Sequence, residues 1–242
     1  MPRVAAIVQA RMGSTRLPGK VLLDLGGKPA IERVVERVGR IDGLTDIVVA
    51  TTQEAQDDAL VEVVERIGGV DVVRGATDDV LGRYCEAARH VDAEVVVRLT
   101  GDCPLLCPSV SARVLAAFLA APCDYASNTL ARRFPRGLDT EVIARGALER
   151  AAAEARRPDE REHVTPYVWR RPEAFRLRSV TDTADHSDLR LTLDTPEDYA
   201  LLSRVYADLG GRPAFDYPDL LACLARHPDW RALNDHIEQK PV

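Results

Sequence analysis

The sequence predicts an α/β fold, namely a three-layer, mostly parallel, Rossmann-like sheet with a small α+β insertion. Short apolar runs without polar alternation, which are typical of strands buried on both faces, occur at 4–8, 47–51, 70–73 and 94–99. Each run is followed by apolar residues at helical spacing, so strand and helix alternate four times in about the first 120 residues. This alternation is typical of a sheet that is covered by helices on both faces.

The first half of the chain contains the remaining elements of this pattern. After the first strand and a polar loop, residues 21–25 are expected to be extended and to end in a turn at Gly26 and Gly27. Helices are expected over 29–38, over 59–67, after a cap at Thr77 or Asp78, and from Pro108.

The alternation changes from residue 124 onward. Strands are predicted at 125–128, 137–143, 175–180 and 189–193. Helices are predicted at about 147–155, at about 160–170, from Pro196, and once or twice within 215–237. We interpret the chain as one domain over residues 1–242, with an insertion at about 124–190.

Composition narrows the class of protein. Of the 242 residues, 46% are hydrophobic and 29% are charged, and the formal net charge of -6 argues against a nucleic-acid backbone as partner. No apolar stretch reaches the roughly 20 residues that span a bilayer, and the N-terminal residues lack a signal-peptide pattern. We therefore expect no membrane partner and a cytoplasmic location. The five cysteines lack the paired spacing of a zinc site.

The polar loop over 10–20 carries the first functional signal. It directly follows the first strand and contains two glycines, three cations and two hydroxyls. Backbone amides and cationic side chains at such a position suit the phosphates of a nucleotide, although a solvated basic loop has the same composition. The spacing is neither that of a Walker-type loop nor that of a dinucleotide fingerprint.

Parallel strands place their carboxyl ends along one edge of the sheet, where ligands collect. The segments that follow strands one, two and four are therefore expected to share one site. The nucleotide-binding residues predicted there are Ala10, Arg11, Gly13, Ser14, Arg16, Lys20, Thr51 and Thr100.

Two aspartates also follow predicted strands. Asp102 comes after the fourth strand, and Asp194 comes after the run 189–193. Carboxylates at strand ends suit Mg²⁺, which prefers one or two carboxylates together with phosphate oxygens and water. Each aspartate could instead cap the helix that follows it. Two such aspartates opposite a cationic loop favour a metal site formed by Asp102 and Asp194.

An acceptor pocket is predicted beside this site. Asp139 and Glu141 alternate on a predicted strand and so face the same way, and Arg136 and His163 could join them. The alternatives are a solvated charged face for the acidic and basic residues, and a structural role for the histidine.

Three motifs at these positions resemble the cytidylyltransferases that activate acidic sugars, the CMP-KDO and CMP-sialate synthetases. They are ARMGSTRLPGK at 10–20, GDCP at 101–104 and LDTPED at 193–198. RLTGDCPL at 98–105, SNT at 127–129, PRGLD at 135–139 and REHVTPY at 161–167 are closer still to the SpsF-like branch, which serves spore coat polysaccharide biosynthesis. The resemblance covers about residues 3–210. Cys103 stands where the sugar-acid enzymes usually carry an acidic residue.

The resemblance implies a fold of the nucleotide-diphospho-sugar transferase type and a Mg²⁺-dependent reaction. CTP and a sugar acid or related acceptor would give a CMP-activated product and pyrophosphate, in polysaccharide or glycoconjugate biosynthesis. Arg11, Lys20, Asp102 and Asp194 would be catalytic. Because members of this family often form dimers, we also expect a homodimer.

Two rival functions remain open at the level of sequence. The first is a glycosyltransferase with a nucleotide-sugar donor, but such enzymes usually carry an Asp-x-Asp motif, and Asp102 is followed by Cys103 and Pro104. The second is a nucleotide-binding protein without catalysis, against which the intact cations and both aspartates argue.

Overall fold

The computed structural model describes residues 2–210 and 215–238. Within them, the strands are β1 (Val4–Gln9), β2 (Asp46–Thr52), β3 (Asp71–Gly75), β4 (Val95–Thr100), β5 (Tyr125–Ser127), β6 (Glu141–Ala144) and β7 (Leu177–Ser179). They form one seven-stranded sheet in the order β3-β2-β1-β4-β6-β5-β7. β6 runs antiparallel to its neighbours β4 and β5, whereas the other pairs are parallel. The predicted mostly parallel sheet is confirmed.

Helices cover both faces of this sheet. They are α1 (Ala30–Val38), α2 (Asp58–Ile67), α3 (Val80–His90), α4 (Pro108–Leu119), α5 (Arg145–Glu154), α6 (Pro158–His163), α7 (Pro166–Trp169), α8 (Pro196–Leu209) and α9 (Tyr217–Arg226). Short 3-10 helices lie at Lys20–Leu22, Ala55–Asp57 and Pro228–Leu233. Among the residues described, none of the helices is both long and apolar enough to cross a membrane.

The alternation of side chains along β1 explains why its sequence is apolar throughout. Ala5 and Ile7 pack against α3 and α5 on one face, while Val4, Ala6 and Val8 pack against α1, α2 and α4 on the other. All five are buried, so both faces of the strand lie in a core. A third apolar cluster joins α8 and α9 to the loops beyond the sheet edge.

Two predicted extended segments are wrong. Residues 21–25 contain the end of a 3-10 helix and a single bridge from Asp24 to Pro29, and residues 189–193 contain a single bridge from Arg190 to Arg136. The run 189–193 uses its backbone groups to hold a loop rather than a strand: Leu189 accepts from Arg136 N–H (2.9 Å), and Leu191 N–H donates to Arg136 (2.8 Å).

The same loop contact shortens the predicted strand at 137–143, which begins only at Glu141. Gly137 has φ +96°, and a Cβ there would lie 2.3 Å from the carbonyl oxygen of Leu191. Only glycine fits so close to this backbone. The loop therefore packs directly on the segment that leads to Asp194.

The ends of several helices also differ from the prediction. The predicted helix at 160–170 is two helices, because Val164 has φ 72° between α6 and α7. The cap of α3 is Asp79, whose Oδ1 accepts from Gly82 N–H (2.9 Å), rather than Thr77 or Asp78. The expected helices within 215–237 are α9 and the 3-10 helix that follows it.

Candidate active site

The carboxyl ends of β1 and β4 lie side by side. Gln9 pairs with Thr100 in the parallel register, and Gly101 N–H donates to Gln9 O (2.7 Å). A Cβ on Gly101 would lie 2.8 Å from the Cβ of Ala10, so the two loops approach each other as closely as glycine allows. This register brings the loop over 10–20 against Asp102.

A cleft of about 420 Å³ opens at this edge. It contains most of the site residues that the sequence predicts, namely Ala10, Arg11, Gly13, Ser14, Arg16, Lys20, Thr100, Asp102, Arg136, Asp139, His163 and Asp194. Residues that we did not predict also line it, namely Gln9, Thr15, Val21, Gly101, Cys103, Gly137, Glu162 and Thr192.

Lys20 occupies the centre of the cleft. Its Nζ lies 2.9 Å from Asp102 Oδ2 and 2.7 Å from Asp194 Oδ1. Only 12% of its side chain is exposed. One ammonium therefore holds together the two carboxylates that sequence reasoning assigned to a metal.

This arrangement shifts the pKa of both partners. Burial alone would lower the pKa of Lys20, but the Asp102 and Asp194 carboxylates outweigh it, and its pKa lies above the ordinary value. Desolvation alone would raise the pKa of Asp102, but the Lys20 ammonium and the hydrogen bonds from Thr100 and Lys20 bring it below the ordinary value. At neutral pH the cleft thus contains the Lys20 ammonium and the ionised carboxylate of Asp102.

Two arginines also contact Asp194. Arg16 Nη2 lies 3.0 Å from its Oδ2, and Arg190 Nη2 lies 3.1 Å from the same oxygen. Arg190 is buried and also holds Asp198, whose two oxygens each lie 2.9 Å from it. Asp198 accepts in addition from the backbone N–H groups of Asp194 (3.0 Å) and Thr195 (3.1 Å).

Asp57, which does not line the cleft, holds the loop over 10–20 by a hydrogen bond to its backbone. This aspartate is fully buried, and its Oδ1 accepts from Met12 N–H (2.7 Å). Its Oδ2 accepts from the hydroxyls of Thr51 (3.2 Å) and Thr52 and from Thr52 N–H (3.3 Å). Thr51 was expected to contact nucleotide, but it is fully buried against Asp57 and does not line the cleft.

On the acceptor side, the structure separates Asp139 from Glu141. Asp139 lines the cleft and is bound by both terminal nitrogens of Arg132, at 2.6 and 2.8 Å. Glu141, on β6, is buried and does not line the cleft, because its carboxylate accepts from Arg98, Tyr125 and Thr165 beneath the sheet edge. The expectation that both face one pocket is wrong, since the strand begins only at Glu141.

The supporting residues Asp57, Arg190, Asp198 and Asn234 were not predicted. Arg190 lies in the predicted strand 189–193, and Asp194 follows that strand at an even spacing of four residues, which would place both side chains on one face. This spacing is a signal in the sequence that links Arg190 to the site. Asp198 shows in sequence only as a capping residue of α8, and its Oδ2 does accept from the Thr195 backbone there. Asp57 and Asn234 carry no local signal.

The protein supplies few side chains that could ligate a metal at this site. Within residues 2–210 and 215–238, no group of three or more histidines, cysteines and acidic residues could hold a metal by itself. Asp102 and Asp194 converge on the same cation, the Lys20 ammonium, in a cleft large enough for phosphates. Two carboxylates suit Mg²⁺ when phosphate oxygens and water complete its shell. The residues present therefore fit a magnesium ion that arrives with a nucleotide.

Comparison with known proteins shows the family and the fold of the chain. The family model described as cytidylyltransferase matches residues 5–216. The solved structure of a cytidylyltransferase from Leptospira borgpetersenii is 35% identical and superposes with a TM-score of 0.92, covering 99% of this chain and 100% of that one. Both the predicted resemblance and the predicted fold are confirmed.

Two curated relatives narrow the comparison. The spore coat polysaccharide biosynthesis protein SpsF of Bacillus subtilis is 32% identical over 95% of this chain and 97% of its own length. A 3-deoxy-manno-octulosonate cytidylyltransferase of Anaeromyxobacter dehalogenans is 42% identical over 62% of this chain and 56% of its own. Together with the family match, these similarities show that the chain belongs to the cytidylyltransferase family.

Proposed function

We propose that this protein transfers CMP from CTP to a sugar acid or a related anionic acceptor and releases pyrophosphate. The observation that carries the proposal is the convergence of Lys20 and Arg16 on Asp102 and Asp194 in one cleft. Membership of the cytidylyltransferase family favours CTP as the nucleotide. The names of the two curated relatives favour an acidic sugar as acceptor and polysaccharide biosynthesis as the pathway class.

The triphosphate would lie along the loop over 10–20. Arg11, Arg16 and Lys20 would neutralise its charge, and the Ser14 hydroxyl and the Gly13 amide would donate to its oxygens. All of these residues line the cleft. Ala10 and Thr100 would border the nucleotide at the ends of the two central strands.

Asp102 and Asp194 would hold Mg²⁺ once phosphate attracts Lys20 and Arg16 away from the two carboxylates. When bound, Mg²⁺ supplies neutralisation of phosphate charge and lowers the pKa of a hydroxyl that it contacts. The protein itself would align the acceptor with the α-phosphate and stabilise the charge of the transition state, because phosphoryl-type transfer needs little covalent chemistry from the protein. Arg11, Lys20, Asp102 and Asp194 are thus the proposed catalytic residues.

The acceptor would bind on the side of Arg136, Asp139 and His163, which line the same cleft together with Glu162. Burial lowers the pKa of Arg136, as does the neighbouring Arg132, whereas Asp139 opposes that shift. Asp139 is already paired with Arg132, so a carboxylate on the acceptor is the natural partner for Arg136. The acceptor hydroxyl oxygen would attack the α-phosphorus in line, and the bond to the pyrophosphate oxygen would break.

A two-step experiment tests the proposal. A thermal-shift comparison of CTP, UTP, ATP and GTP with Mg²⁺ should give the largest shift with CTP. Pyrophosphate release should then be screened with CTP across sugar acids, with neutral sugars of the same size as controls. We expect release with an acid and none with its neutral analogue.

Two outcomes would contradict the proposal. Turnover of a nucleotide sugar without pyrophosphate release would favour a glycosyltransferase, and tight CTP binding without turnover over the whole acid panel would favour a non-catalytic binding protein. A homodimer, a cytoplasmic location, a single domain over residues 1–242 and the lack of a nucleic-acid partner remain predictions from the sequence.

A further inference from the structure

Cations from two parts of the chain contact Asp194. Among the residues that the structure describes, three cations contact it, and two of these, Arg16 and Lys20, belong to the loop that we propose binds the triphosphate. Those two would leave the carboxylate when phosphate binds. Arg190 lies outside the loop, is 6% exposed and does not line the cleft.

Arg190 is held in place by the buried Asp198, which lies outside the cleft and so away from a bound phosphate. Its Nε and Nη2 each lie 2.9 Å from an oxygen of Asp198, a residue with no exposed surface. Asp198 in turn accepts from Asp194 N–H (3.0 Å), so the backbone and the carboxylate of Asp194 are held by the same pair. Arg190 contacts Oδ2 of Asp194, whereas Lys20 contacts Oδ1.

The C-terminal part of the chain completes this anchor. Asn234 is 2% exposed and directly follows the 3-10 helix Pro228–Leu233. Its Nδ2 donates to Arg190 O (3.0 Å) and to Asp198 Oδ1 (2.8 Å). Asn234 lies beyond residue 216, where the match to the cytidylyltransferase model ends.

We propose that Arg190 and Asn234 are positioning residues that hold Asp194 Oδ2 so that Oδ1 stays directed toward Asp102 for the metal. The C-terminal segment is then a working part of the active site, although it lies outside the region that the family model matches. The inference rests on the proposed function, because it assigns Asp194 to a metal that arrives with the nucleotide. Partners of this kind tune metal affinity by about 10–100-fold in other proteins.

The test measures metal binding and nucleotide binding separately. Mn²⁺ binding to the CTP complex, without acceptor, is titrated by electron paramagnetic resonance in the wild type, Asn234→Leu and Arg190→Lys. Leucine has a similar volume but no donor, and lysine keeps the charge and the apolar stem but cannot bridge two carboxylates as a planar guanidinium does. We expect the Mn²⁺ dissociation constant to rise about tenfold or more in both variants.

Metal-free CTP affinity should stay within about twofold, because the loop over 10–20 is untouched. Arg231→Ala is the matched control: Arg231 lies on the same 3-10 helix and pairs with Asp188 at 2.6 Å on the surface, away from Asp194. Its Mn²⁺ affinity should equal that of the wild type.

Three results would overturn the inference. The first is unchanged Mn²⁺ affinity in folded Asn234→Leu, or in Arg190→Lys should the leucine variant not fold. The second is an equal loss of Mn²⁺ and metal-free CTP affinity, which would mark a purely structural role. The third is a wild type that binds CTP but no Mn²⁺, which would also remove the metal from the proposed function; the first two leave that function standing.

Discussion

At the scale of single residues, Lys20 joins the side chains of Asp102 and Asp194 in the cleft. It lies between two carboxylates that would otherwise repel each other, and its raised pKa keeps it protonated through the neutral range. The same ammonium lines the cleft that a triphosphate would enter. A single side chain therefore stabilises the site before nucleotide arrives and would bind phosphate afterwards.

Replacing Lys20 with methionine should weaken metal-free CTP binding by about 10–100-fold, the equivalent of one charge-assisted hydrogen bond of about 1.5–3 kcal/mol. Isothermal titration calorimetry measures the change. Lys28→Met is the matched control, because Lys28 is more exposed and pairs with Glu32 and Glu36 on α1. Equal CTP affinity in Lys20→Met and Lys28→Met would remove the loop's assigned role.

The lowered pKa of Asp102 makes the free energy of unfolding depend on pH. Its pKa in the folded protein lies below the ordinary value of 3.8, so its ionised form is favoured by folding. The stability that it contributes is fully present above the unfolded-state pKa and is lost as the pH falls through the folded-state pKa. The gap in unfolding free energy between wild type and Asp102→Asn should therefore shrink below about pH 4.

Urea unfolding between about pH 7 and about pH 3 measures that gap. Asp42→Asn is a suitable control, because Asp42 is exposed in the turn after α1. A gap between wild type and Asp102→Asn that stays constant over this pH range would show that the Lys20 contact does not favour the ionised carboxylate.

At the level of elements, the short 3-10 helix at Ala55–Asp57 supports the phosphate loop. Asp57 is the link between them, because it accepts from Met12 N–H in the loop and from Thr51 and Thr52 at the end of β2. The carboxylate thus joins the ends of two neighbouring strands. Loop geometry at the cleft depends on a residue that no ligand would touch.

Asp57→Ala should lower the free energy of unfolding by about 1–3 kcal/mol, because the Met12 N–H and two buried threonine hydroxyls would lose their acceptor. CTP affinity should fall as well, since the loop loses its support. Urea unfolding and calorimetry measure the two effects. Asp58→Ala, at the exposed neighbouring residue that pairs with Arg74, should change neither by more than about 0.5 kcal/mol.

The regular elements could be predicted because their signal is local. The runs that became β1, β2 and β4 are mostly apolar and lack polar alternation, since both faces of the sheet are buried. The run 189–193 has equally apolar alternate residues, yet it pairs with a loop at Arg136 rather than with a strand. Pairing partners are a tertiary property, which explains why this strand was predicted wrongly.

Site residues could likewise be predicted where the signal is local and not where it depends on tertiary contacts. Lys20 and Asp102 were found because each follows a strand, and strand ends share one edge of a parallel sheet. Thr51 also lies at the carboxyl end of a strand, but its hydroxyl donates to the buried carboxylate of Asp57, six residues later. Asn234 is 36 residues from Asp198, the residue that it contacts, and nothing in its neighbourhood indicates that contact.

At the scale of the whole molecule, the site joins distant parts of the chain. Lys20 and Asp194 are separated by 174 residues, and Lys20 and Asp102 by 82. The α8–α9 cluster and the central sheet therefore meet at the cleft. A ligand that binds there contacts both, so its binding free energy stabilises the fold as a unit rather than one loop.

CTP with Mg²⁺ at about 100 times its dissociation constant should add about 2.7 kcal/mol to the unfolding free energy. For a chain of this size that corresponds to a rise of about 5–11 °C in Tm, which differential scanning fluorimetry measures. In Asp194→Asn, Mg²⁺ should add nothing to the shift caused by CTP alone, because one of the two proposed ligands has lost its charge. A Mg²⁺-dependent increase of wild-type size in Asp194→Asn would show that the metal binds elsewhere, since an amide at this position cannot replace the carboxylate that Lys20 and Arg190 hold in place.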